Sequence, residues 1–176
     1  MTTGAFRFEA NPNPFDPARR AELLMDPGFG RVFTDHMVTI RYAEGKGWHD
    51  AKVGPRGPLS LDPATAVLHY AQEIFEGLKA YRLADGSMAQ RFQRSARRLA
   101  MAELPEELFL QSCRQLVEVD REWFPPVEGG SIYLRPFMIA SEVFLGVKPS
   151  SEYLFMTIAS AAGNYWKSGA PAISIW

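Results

Sequence analysis

The sequence predicts an α+β fold, and three observations carry that expectation. Residues 34–42 (TDHMVTIRY), 131–140 (SIYLRPFMIA) and 153–160 are short runs rich in β-branched and aromatic residues, as strands require. Residues 94–100 and 106–123 carry apolar side chains at helical spacing instead. The two kinds of segment do not alternate regularly, which argues against a doubly wound parallel sheet.

The first thirty residues are rich in Asn, Pro and Gly (NPNPFDP, then DPGFG) and read as an arm over the surface, 1–33 in all. Residues 34–176 then form one small domain. After the strand at 34–42, GKG ahead of Trp48 offers a turn. LDPATAVLHYAQEIFEGLKAYR predicts a helix, with Asp62 as N-cap and Pro63 at its first position. Val67, Tyr70, Ile74, Phe75 and Leu78 share one face of it and Gly77 ends it. LKAYRL then reads as a strand entering a turn at Asp85-Gly86. Pro105 opens the helix over 106–123, whose core stripe is Phe109, Cys113, Leu116 and Val117. The loop EVFLGVKPSS joins the last two strands, and AISIW at 172–176 reads as a strand in progress, as in a piece of something longer.

Composition bounds the function. With 176 residues, 47% apolar and 22% charged, the chain is ordinary for one globular core. Nineteen basic residues nearly cancel twenty acidic ones, so no field draws in nucleic acid or an anionic membrane. The single cysteine, Cys113, excludes a disulfide framework and suits a reducing compartment. The N-terminus has no apolar signal-like run, and no segment approaches the ~20 apolar residues of a membrane span, so a soluble, cytoplasmic protein is expected. His36, His49 and His69 are not at ligand spacing with one another or with Cys113, so no metal site is expected. GxSxG, P-loop and GxGxxG motifs are absent.

What remains is an arginine among aromatics. Tyr133, Arg135 and Phe137 alternate along one strand and so face the same way. Tyr70 and Phe75, on the expected helix, would line one wall between them. A guanidinium keeps its charge, and burying it costs several kcal/mol or so unless an anion or rich hydrogen bonding meets it. An apolar pocket with one fixed cation grips small carboxylates. The alternative is an internal salt bridge from Arg135 to Glu142 or Glu152.

HYAQEIFEGLKAYR, RSARRLA, IYLRPFMIASEVFLGV and IASAAGNYW together resemble the branched-chain amino acid aminotransferases, fold-type IV enzymes that use pyridoxal phosphate. The resemblance runs from about Phe29 to Trp176 and implies the small N-terminal domain of a two-domain architecture. It implies transfer of an amino group between leucine, isoleucine or valine and 2-oxoglutarate, with glutamate as the shared donor. Arg135 would take the glutamate side-chain carboxylate, while Phe29, Tyr70, Phe75, Tyr133 and Tyr165 line the pocket. Leu145 and Val147 would reach the neighbouring subunit's site in a homodimer, although folding back onto their own core is the other reading of that apolar loop. Arg91, four residues before the Ser95-Ala96 pair, would hold the cofactor phosphate. Arg94, Arg97 and Arg98 would form a solvated face, and Lys79 an ordinary strand lysine.

Two departures from the family pattern stand out. A family segment F-R-P-x-x-N is missing ahead of Arg91, where Ser87-Met88-Ala89-Gln90 runs straight in. The Schiff-base lysine, with the rest of the cofactor domain, would lie beyond Trp176, so these residues alone would bind and select without doing chemistry. Other fold-type IV enzymes (a D-amino acid aminotransferase, aminodeoxychorismate lyase) and a non-catalytic assembly module are the competing readings.

Overall fold

A computed structural model of the chain describes residues 6–80 and 87–163. In chain order the elements are β1 (Arg7–Phe8), α1 (Pro17–Leu24), β2 (Val32–Ala43), β3 (Gly47–Pro55), α2 (Ala66–Tyr70), β4 (Glu73–Phe75), β5 (Leu78–Lys79), α3 (Ser87–Arg98), α4 (Glu106–Val119), a 3₁₀ turn (Arg121–Trp123), β6 (Ser131–Ala140) and β7 (Glu152–Ala162). The strands form one sheet in the order β1-β3-β2-β7-β6-β4, with β5 also on β6. All pairings are antiparallel except that of β1 with β3. This is the α+β architecture that the sequence predicts.

The sheet has two unlike faces. Directly opposed residues share a face, and pairs such as Leu134 with Ala159 and Met138 with Phe155 turn toward α3 and α4. There Phe155 meets Phe92 edge-on at 5.5 Å, and Phe109 completes the trio 5.4 Å from Phe92. Each of these fully buried rings contributes roughly 1.5–3 kcal/mol through lost water contact. Cys113 of α4 lies in the same core, where burial pushes its thiol up to about 12. The opposite face carries Tyr133, Arg135 and Phe137 of β6, all half-buried.

Several elements differ from expectation for reasons that can be named. The arm contains a helix, α1, because Asp16 and Pro17 act as N-cap and first helical residue: the Asp16 carboxylate accepts the Arg19 amide at 2.9 Å. α3 begins at Ser87, seven residues sooner than expected, and α4 stops at Val119, with the 3₁₀ turn after it.

The largest difference lies at 62–77, which do not form one helix. α2 spans only Ala66–Tyr70, and Ala71 takes a left-handed conformation (φ 48°, ψ 34°) that ends it. Asp62 shapes the turn before the helix, accepting the Ala64 amide at 2.8 Å, while Thr65 stands at the N-cap. Ile74 and Phe75 belong to β4, which pairs with β6 and sets Phe75 opposite Phe137. Their apolar spacing fits a helix face, but Glu-Ile-Phe also suits an edge strand, and the ladder with β6 decides. The turn expected at Asp85-Gly86 and the strand expected at AISIW lie outside the described residues.

The arm is tied down by specific contacts. The Asn11 amide donates to His36 Nε2 at 3.2 Å, and His36 Nδ1 lies 2.7 Å from buried Asp120. Asp35 accepts from the Phe15 amide at 2.8 Å and the Trp123 indole at 3.0 Å. His49 and His69 sit against the carbonyls of Gly47 and Pro63. Among the described residues no helix is long and apolar enough to cross a membrane, and no cluster of metal-ligating side chains occurs.

Candidate substrate-recognition site

β6 sets Arg135 on the face away from the helices, beside a cavity of about 210 Å³. Phe29, Gly30, Phe33, Tyr133, Arg135, Ile158, Ala159 and Ser160 line it. The pairing of β2 with β7 places Phe33 opposite Ser160, which is how both reach the cavity. Phe29 packs edge-on against Tyr133, ring centres 4.9 Å apart.

Arg135 has no ion-pair partner among the described residues. Its Nη2 donates to the Tyr133 hydroxyl at 2.9 Å, and its Nε is buried with no hydrogen bond. The guanidinium lies 4.4 Å from the centre of the Phe75 ring and 5.6 Å from that of Tyr133. Aromatic faces orient the cation but do not neutralise it. The expected alternative, a bridge to Glu142 or Glu152, does not form: Glu142 is engaged with Lys148 at 2.7 Å, and Glu152 makes no bridge to Arg135. A partly buried cation with an unused donor is chemically suited to an arriving carboxylate.

Of the expected pocket residues, Phe29, Tyr133 and Arg135 converge, and Phe75 flanks them from β4, 61% exposed. Tyr70 is not in the cavity wall. Its hydroxyl accepts the Gly146 amide at 2.6 Å and its ring stacks 5.9 Å from Phe144, so it belongs with the loop 143–147. The shared helical wall for Tyr70 and Phe75 fails because Ala71 turns the chain between them. Tyr165 lies outside the described residues.

The loop does not fold its tip inward: Leu145 is 70% exposed and Val147 99%, while Phe144 packs against the core. Arg91, on α3, is largely exposed and stands 3.8 Å from Glu76. Arg94, Arg97 and Arg98 are exposed on the same helix, Arg97 bridged to Glu103 at 3.3 Å. Lys79 lies on β5 in register with Tyr133. Sequence reasoning missed Phe33, Ile158 and Ser160. The alternation of β2 and β7 placed them on one face, but only the register shows that they meet.

A scan against models of protein families finds none that matches. Across its whole length the chain is 56% identical, over 186 residues, to a probable branched-chain-amino-acid aminotransferase of Streptomyces coelicolor, 51% of which it covers. It is 54% identical over 187 residues to the branched-chain-amino-acid aminotransferase of Mycolicibacterium smegmatis, again covering 51% of that protein. The fold matches the branched-chain amino acid aminotransferase from Escherichia coli with a TM-score of 0.52 at 18% identity, over 72% of this chain and 40% of that one. A mixed sheet with α3 and α4 on one face thus shares the fold class of the matching part of the Escherichia coli enzyme. Within that class, the chain belongs to the branched-chain aminotransferase family. It spans about half the length of the curated relatives it matches.

Proposed function

We propose that this chain is the substrate-selecting part of a branched-chain amino acid transaminase, moving an amino group between leucine, isoleucine or valine and 2-oxoglutarate. The observation that carries this is Arg135, a half-buried cation without a carboxylate partner among the described residues, at the wall of an otherwise mainly apolar cavity. Phe29, Phe33, Phe75 and Tyr133 receive an aliphatic side chain. Arg135 receives the side-chain carboxylate when glutamate or 2-oxoglutarate takes the same place, and rests on Phe75 and Tyr133 otherwise. One pocket then serves both substrates.

Pyridoxal phosphate is the cofactor, and Arg91 suits its phosphate: the guanidinium is 59% exposed and its contact with Glu76, at 3.8 Å, is loose. When bound, the cofactor supplies the electron sink that amino-group transfer needs. The protein works in the cytoplasm, where the single buried cysteine stays reduced. It acts as a homodimer, with Leu145 and Val147 turned toward the neighbouring subunit's pocket; their exposure supports this.

Expressed from its full reading frame and supplied with pyridoxal phosphate, the protein is expected to convert leucine and 2-oxoglutarate to glutamate and the branched 2-oxo acid. Activity with D-alanine and none with leucine would overturn the reading.

A further inference from the structure

We infer that Glu142 is a positioning residue for substrate selection, because its carboxylate ties together the two ends of the loop that presents Leu145 and Val147. The inference rests on the reading above, in which those two side chains meet substrate.

The loop leaves β6 after Ala140 and returns at β7, and its two halves are held differently. The first half is fastened to α2 and the turn before it. Val143 bridges to Thr65, the Phe144 amide donates to the Ala64 carbonyl at 3.1 Å, and the Gly146 amide donates to the Tyr70 hydroxyl. The second half is fastened by Glu142. One carboxylate oxygen accepts the Lys148 ammonium at 2.7 Å, and the other accepts the Ser151 amide at 2.6 Å. The main chain of Glu142 is itself pinned, its carbonyl accepting the Ala66 amide at 2.9 Å. The other ties of the second half lie at its β7 end, where the Ser151 carbonyl accepts the Glu44 amide at 2.9 Å, the Ser150 hydroxyl donates to the Glu152 carbonyl at 2.7 Å, and the Ser150 amide makes a long 3.4 Å contact to Gln72.

Packing cannot substitute for this brace. Val147 is almost wholly exposed, so no core holds the chain there. Lys148 also lies 4.1 Å from the Phe144 ring, so the carboxylate that fixes Lys148 links the second half of the loop to the first. The geometry calls for two acceptor oxygens, one per donor. Glutamine offers one oxygen and would set an amide NH₂ against one of the two donors. Burial pushes the Glu142 carboxyl upward, but hydrogen bonds from Lys148 and Ser151, with the charge of Lys148, outweigh it and hold the group at about 2. The brace is therefore charged at working pH.

The test compares wild type, Glu142→Gln and Glu142→Ala in the full-length protein, by hydrogen exchange and by steady-state kinetics. Exchange of the amides of 147–151 is expected to quicken about tenfold or more in the alanine variant, and less in the glutamine variant. The KM for leucine should rise about three- to tenfold while kcat changes little, since only the binding of the branched chain is disturbed. Unchanged exchange would show that Glu142 does not hold the loop. Faster exchange with an unmoved leucine KM would make it a structural brace without bearing on substrate; either result overturns the inference and leaves the functional reading intact. A wild type that moves no amino group from leucine would overturn that reading, and this inference with it.

Discussion

The hydroxyl of Tyr133 occupies the place where a side chain at residue 77 would begin. A Cβ built on Gly77 would sit 1.9 Å from that oxygen and 2.9 Å from the ring carbon bearing it. Tyr133 can therefore bring its hydroxyl end up against the turn between β4 and β5, where that hydroxyl accepts from Arg135. Glycine at 77 is a requirement of the pocket, set by closeness of approach.

Gly77→Ala should force the Tyr133 ring away from Arg135. The expected cost is about 1–3 kcal/mol of stability, as for other overpacked sites, read by urea unfolding. Glutamate use should fall more than leucine use. Tyr133→Phe in the same chain should recover part of the stability, since it removes the atom that clashes worst. An alanine variant as stable as wild type would mean that the ring swings aside freely.

Arg135→Gln separates the two substrates. Only glutamate brings a second carboxylate, and loss of a charge-assisted pair costs roughly 1.5–3 kcal/mol, about ten- to a hundredfold in kcat/KM. The leucine value should move far less. Equal losses would mark Arg135 as structural, although no carboxylate pairs with it among the described residues.

Leu145→Asp tests the loop. Its exposed apolar side chain is expected to contribute to both the subunit contact and the neighbouring pocket. Weaker association by analytical ultracentrifugation and a higher KM for branched-chain substrates should therefore appear together. A variant that stays dimeric with unchanged KM would return the loop to its own subunit.

Glu142 gives a pH dependence of known sign. Its carboxyl is lowered from 4.5 to about 2 on folding, so its contribution is fully present above pH 4.5 and is lost as pH falls toward about 2. The stability difference between wild type and Glu142→Gln should be flat above that upper value and shrink below it. A difference that grew on acidification would contradict the assignment.

The parts legible in the sequence were those decided locally. β6 announced itself by aromatic and apolar residues on both faces, and alternation alone put Tyr133 and Arg135 on one side. The helix expected through Phe75 was not legible, because the same apolar spacing serves a short helix followed by an edge strand. The choice rests on pairing with β6, which is distant in sequence. Tyr70 was placed on one helix with Phe75 for that reason. Phe33 and Ser160 escaped notice because they meet through the ladder between β2 and β7. The arm's helix was hidden by Asp-Pro, which punctuates a loop as readily as it begins a helix.

The order of the sheet also bears on how the molecule keeps to itself. Among the described residues its longest strands lie inside, and its borders are the two residues of β1 on one side and the short β4 and β5 on the other. β1 covers β3 at Lys52 and Val53, and the Glu9 amide adds a bond to the Val53 carbonyl. That cover closes only the far end of β3, and among the described residues 47–51 have no partner strand on their outer side, so a foreign strand could add there. Trimmed of its first ten residues, the molecule would offer Gly47–Pro55 as an open border, a template for chain-to-chain stacking and fibre growth.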